Sequence, residues 1–177
     1  MRIGGLSRWG LNHARPPPCN TQFTGGFLLL PRPVFRWLPA MDFILHPRLA
    51  AGASELGRIN GCRLLLKHNS LFPWLLLVPE IADGIEDLHQ LEPARYDEVM
   101  GAVRQVSGFV SCYFDPEKLN VACIGNQVRQ MHIHIVGRST GDPAWPGTVW
   151  AFEGKQSYPE EDVARIRAAA RERIPLS

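Results

Sequence analysis

The first 41 residues contain no aspartate or glutamate, against five arginines (Arg2, Arg8, Arg15, Arg32 and Arg36). Residues 42–177 carry 14 Lys+Arg and 17 Asp+Glu. The formal net charge of +2 therefore belongs to the opening segment. The rest of the chain lacks the basic excess that would attract nucleic acid. Long apolar runs are missing as well: Phe27-Leu28-Leu29-Leu30 falls far short of the ~20 residues that a bilayer span needs, so no membrane partner is expected. Cysteine is sparse and scattered, with Cys19, Cys62, Cys112 and Cys123 forming no Cys-x-x-Cys pair. A disulfide framework is not expected, and the thiols are read as reduced in a cytoplasmic protein.

The opening segment also lacks periodicity. Pro16-Pro17-Pro18, Gly25-Gly26 and Pro31-Arg32-Pro33 interrupt every repeat. Its Arg-rich, acid-free composition suits a transit peptide, but the prolines spoil an amphipathic helix. Residues 1–40 are expected to be a disordered or artefactual extension, with Met41 a natural start because the ordered pattern begins at Met41-Asp42-Phe43-Ile44-Leu45. Residues 41–177 are expected to form one domain with a substantial core.

Within that domain, Cys62-Arg63-Leu64-Leu65-Leu66-Lys67-His68 and Trp74-Leu75-Leu76-Leu77-Val78 flank a short connection ending in Pro73, the pattern of an antiparallel hairpin. A helix is predicted over 93–114, with Pro93 in its first turn. Tyr96, Val99, Met100, Val103, Val106, Val110 and Tyr113 recur at three- and four-residue steps, and Asp115-Pro116 stops them. A strand, Lys118 to Ile124, and a turn at Gly125-Asn126 lead to the central stretch. After it come an aromatic loop with Trp145 and Trp150, suited to a pocket wall, a subunit contact or plain packing, and a final helix over 157–174. That helix is striped by Val163, Ile166, Ala170 and Ile174 and opened by a capping box at Ser157-Tyr158-Pro159-Glu160.

The central stretch is Gln130-Met131-His132-Ile133-His134-Ile135-Val136. In an extended strand Met131, Ile133 and Ile135 face one side and Gln130, His132 and His134 the other. The two imidazoles then stand about 6–7 Å apart, from a rise of ~3.3 Å per residue. Such a pair suits a nucleophile beside a supporting group, but also a merely exposed polar face or two ligands of a zinc site. Zinc needs further donors, and His13, His46, His68 and His89 are scattered singly.

With its surroundings, this stretch resembles the signature of the histidine triad family, His-x-His-x-His followed by apolar residues, with Gln130 in place of the first histidine. Gly125-Asn126-Gln127-Val128 precedes it where that family has a glycine, an amide residue and a valine, and hairpin, helix and strand come in the family's order over about residues 42–150. The resemblance implies an α+β fold, a five-stranded antiparallel sheet with one long central helix and a C-terminal helix. It further implies a nucleotide phosphate hydrolase of the dinucleoside polyphosphate or phosphoramidate type, with a nucleotide-binding protein of little turnover as the alternative. His132 would attack the α-phosphorus to form a covalent nucleotidyl-histidine. His134 would fix the His132 tautomer and help bind phosphate. Asn69, Asn126, Gln127 and Gln130 would contact the nucleotide. Neither metal nor cofactor is implied, and a homodimer is.

Overall fold

The computed structural model describes residues 43–177. The expected extension over 1–40, and the start at Met41-Asp42, lie outside the described residues. A short helix α1 (Pro47–Ala51) precedes β1 (Ala53–Ile59), β2 (Cys62–Lys67) and β3 (Trp74–Pro79). The long helix α2 (Pro93–Phe114), strands β4 (Lys118–Cys123) and β5 (Ile133–Arg138) and the helix α3 (Glu160–Arg173) follow. The strands form one sheet in the order β1-β2-β3-β5-β4, and every neighbouring pair is antiparallel. This is the α+β architecture the resemblance implied.

Asn60 and Gly61, at φ 47° and 65°, make the two-residue turn between β1 and β2. Positive φ at both positions is the mirror-image turn whose twist matches paired strands, and Asn-Gly is its favoured sequence. Beyond β3, α2 buries Val99, Ala102, Val103, Val106, Phe109 and Val110 against the sheet. It ends where Asp115, at φ 48° ahead of Pro116, leaves the helical region.

The strands sort their side chains between two cores. Leu64, Leu66, Leu75, Leu77, Ile133 and Ile135 pack with α2 and α3 on one face. Leu65, Trp74, Leu76, Val78 and Val136 pack on the other, under Leu49, Phe72 and Val149. Strand β5 is wholly buried because it lies between β3 and β4.

One boundary differs from expectation. The final helix begins at Glu160, and no side chain caps it. The Ser157 carbonyl instead accepts the Ser70 hydroxyl, which draws that residue across to the β2–β3 turn. Cys62 and Cys123 are free thiols as expected. Among the described residues no helix is long and apolar enough to cross a membrane.

Candidate active site

The regular ladder of β5 starts at Ile133, so His132 stands one residue before the strand and His134 within it. The alternation survives: Met131, Ile133 and Ile135 enter the α2 core, and the two histidines face the opposite side. Their ring centroids are 4.8 Å apart at 66°. Both residues are only 6% exposed.

Each imidazole is held in one tautomer by a partner of fixed character. His132 Nδ1 lies 2.7 Å from the Gln130 carbonyl oxygen, which can only accept, so Nδ1 carries the proton and Nε2 presents its lone pair. His134 Nδ1 accepts from Trp74 Nε1 at 2.9 Å; an indole can only donate, so the His134 proton sits on Nε2. The expectation that His134 fixes the His132 tautomer is thereby corrected. A backbone carbonyl two residues upstream performs that task, because Nδ1 points back along the chain rather than towards the neighbouring ring.

Both rings are neutral near pH 7. Burial is the largest cause for His132, helped by the charges of Lys67 and His46 and opposed by the Gln130 carbonyl. Burial, then His132 and Lys67, push His134 down to about 3 against the contrary pull of the Ile124 backbone. Trp150 closes over His134, ring centroids 5.5 Å apart, and meets Trp74 edge-on at 6.1 Å. The Trp150 indole nitrogen is buried without a hydrogen-bond partner among the described residues.

The amide residues divide into two groups. Asn126 and Gln127 are exposed on the loop before β5. Asn69 and Gln130 both bond to backbone groups from elsewhere in the chain. Asn69 Oδ1 accepts from the Leu71 and Gln156 amides, and its Nδ2 donates to the Gly154 carbonyl. It is buried, and those backbone groups need the partners it supplies. Gln130 Oε1 accepts from the His46 amide at 2.9 Å, and Nε2 donates to the Ile44 carbonyl at 3.0 Å. It thus clamps the segment before α1 to the motif as a strand neighbour would. Trp145, 39% exposed, stacks over the Arg138 guanidinium, away from the histidines.

Three residues near the histidines escaped the sequence reading: Trp74, Lys67 and His46. The signal for Trp74 was parity, since Leu76 opposes His134 across β3 and β5 and Trp74 lies two residues from it. A 340 Å³ cleft next to the motif is lined by Phe43, Ile44, His46, Ile85, Arg129 and Gln130. A 520 Å³ hollow at Arg58, Arg171 and Ser177 includes none of the motif residues. Among the described residues no group of three or more His, Cys, Asp or Glu side chains is arranged to hold a metal ion.

Compared with known proteins, residues 52–141 match the HIT domain. The chain belongs to the histidine triad (HIT) family. Its structure is similar to that of a histidine triad protein from Sinorhizobium meliloti, with 32% identity and a TM-score of 0.73 over 76% of this chain and 99% of that one. A histidine triad protein from Marinobacter aquaeolei is 35% identical over 76% of this chain and 98% of its own, with a TM-score of 0.72. One from Bradyrhizobium japonicum is 32% identical over 75% and 98%, also at 0.72. No curated protein matches the chain. As a HIT protein it is a nucleotide-binding protein.

Proposed function

We propose that this HIT protein hydrolyses a nucleoside phosphate derivative at the α-phosphate, through a covalent nucleotidyl-histidine on His132. The observation that carries this reading is the tautomer of His132. Its proton is held on Nδ1 by the Gln130 carbonyl, and its Nε2 lone pair is free in a ring that burial keeps neutral. Nε2 attacks phosphorus and the bond to the leaving group breaks; water then attacks the same phosphorus, and the P–N bond breaks to release the mononucleotide. The imidazole gains positive charge as it attacks, and the Nδ1–H bond to the carbonyl strengthens with it. Asn126 and Gln127 supply amide donors to the phosphate oxygens, and His134, its ring 4.8 Å from that of His132, walls the site beside the nucleophile. The 340 Å³ cleft beside Gln130 is of the size that small ligands occupy. No step in this scheme calls for a metal or cofactor.

Two copies are proposed to pair along β4. It lies at the edge of the sheet and leaves Val121 46% exposed.

The test is intact mass after brief incubation with a dinucleoside polyphosphate or an adenosine phosphoramidate, quenched in alkali to preserve phosphohistidine. A nucleotidyl adduct on the native chain and none on His132→Ala is the expected result. Product release by His132→Ala at the native rate would overturn it. A second reading, a nucleotide-binding protein with little turnover, is favoured by Gln130, which cannot ionise and whose amide oxygen and nitrogen each bond a backbone group. Nucleotide-induced thermal stabilisation with neither adduct nor product is its signature.

A further inference from the structure

Lys67, the last residue of β2, lies on the histidine face of the sheet, two residues beyond Leu65 of the same core. Its Nζ sits 5.2 Å from the centroid of a Trp74 ring. Trp74 also donates to His134, so the one indole contacts both the ammonium and the imidazole. Lys67 is half-buried, yet among the described residues it forms no ion pair. Arg63, four residues earlier on the same strand, is bound by both Glu55 and Glu80. A partly buried cation without a carboxylate is unusual, since burying charge without a partner costs free energy.

A second lysine is held beside it. The Gly154 carbonyl and the Gln156 amide are both bonded to Asn69, and the Ser70 amide donates to the Gln156 carbonyl. Residues 154–156 are thereby strapped across the end of β2, with Lys155 between the two anchors. Lys155 likewise forms no ion pair among the described residues. The two ammonium groups feel each other: burial first, then the charge of Lys155, lower the pKa of Lys67. Like charges placed together next to neutral imidazoles are relieved by an anion, which lowers the energy of both at once.

We infer that Lys67 and Lys155 form a subsite for a second phosphate of the substrate, adjacent to the phosphate that faces His132. The inference rests on the nucleotide reading above and narrows it to nucleotides carrying a further phosphate. That group is either the next in the 5′ chain or one on the ribose, for both offer the same charge and acceptor oxygens.

The experiment is calorimetric titration of the full chain and of Lys67→Met and Lys155→Ala with AMP, ADP and adenosine 3′,5′-bisphosphate. Methionine keeps the length of Lys67 and its packing on Trp74, and Lys155 lies on the exposed strap, so neither variant removes core. The native chain is expected to bind at least one bisphosphate about tenfold more tightly than AMP, the worth of about one charge-assisted hydrogen bond. That ratio is expected to collapse towards one in Lys67→Met, to fall in Lys155→Ala and to shrink with added salt. A gain for ADP alone places the group in the 5′ chain, and a gain for the 3′,5′ ligand alone places it on the ribose. Binding of AMP with no gain from a second phosphate, or a gain that survives both substitutions, overturns the subsite and leaves nucleotide binding standing. Failure of all three ligands to bind overturns both.

Discussion

Trp74 sets the chemistry of His134 although it has no acid or base of its own. Its indole N–H can only donate, so it selects the His134 tautomer that carries its proton on Nε2, and it stabilises the neutral ring over the charged one. Trp74→Phe keeps an aromatic ring against Phe72 and Trp150 but leaves Nδ1 of a buried histidine without a donor. The expected cost is about 1–3 kcal/mol of stability, with the His134 ring nitrogens reporting a mixture of tautomers by NMR. An unchanged nitrogen spectrum would show that the indole bond is not what orders the ring. The same burial fixes a pH dependence. His134 titrates near 3 when folded and near 6.5 when unfolded, so below pH 6.5 the unfolded chain binds more protons than the folded one. Its contribution to stability is therefore complete above pH 6.5 and is lost as pH falls towards 3, at up to about 1.4 kcal/mol per pH unit. His132, shifted in the same direction, adds to the slope. Urea unfolding at pH 7.5, 6 and 5 measures that loss, and His134→Asn is expected to flatten much of it.

At the scale of elements, the site is a junction between β5 and three segments that come from elsewhere in the chain. Gln130 holds residues 44–46, Asn69 holds 154–156, and Trp74 at the start of β3 holds His134. Gln130→Ala is expected to lose two backbone bonds and about 1–2 kcal/mol, and to speed hydrogen exchange at the His46 amide while leaving amides of α2 protected. Uniform exchange across the chain would mean that the clamp has no local role. Much of this region was legible in the chain. The run from Met131 to Ile135 announced its two faces, and the stripe from Tyr96 to Tyr113 located α2 to the residue. Strand β1 was not recognised, although Asn60-Gly61 is a strong local hairpin signal, because Gly57 and Glu55 interrupt its alternation where the ladder shifts register. The roles of Asn69 and Gln130 were hidden for a different reason. An amide side chain serves phosphate or backbone equally well, and only the folded arrangement, which brings positions 84 and 85 residues apart into contact, shows its backbone partners.

For the whole molecule the unsolved problem is the β4 edge. Three strands, β2, β3 and β5, are paired on both sides, β1 is bridged at Arg58 by the Ser177 backbone, and β4 offers the outer side of Lys118–Cys123 with no strand beside it among the described residues. An open edge invites a strand from another chain, and Val121, opposite Ile135 in the register, puts an exposed apolar side chain there. Pairing two such edges antiparallel about a twofold axis would join the sheets and satisfy both rows of backbone groups. Sedimentation of the native chain is then expected to give twice the 19.8 kDa chain mass. Val121→Lys places like charges across the axis and should return the monomer. Because position 121 lies outside both buried cores, the substituted chain should keep its far-ultraviolet spectrum, so dissociation would be separable from unfolding. A native chain that sediments at the monomer mass at micromolar concentration removes the pairing and leaves the histidine site, whose described contacts all come from one copy, unaffected.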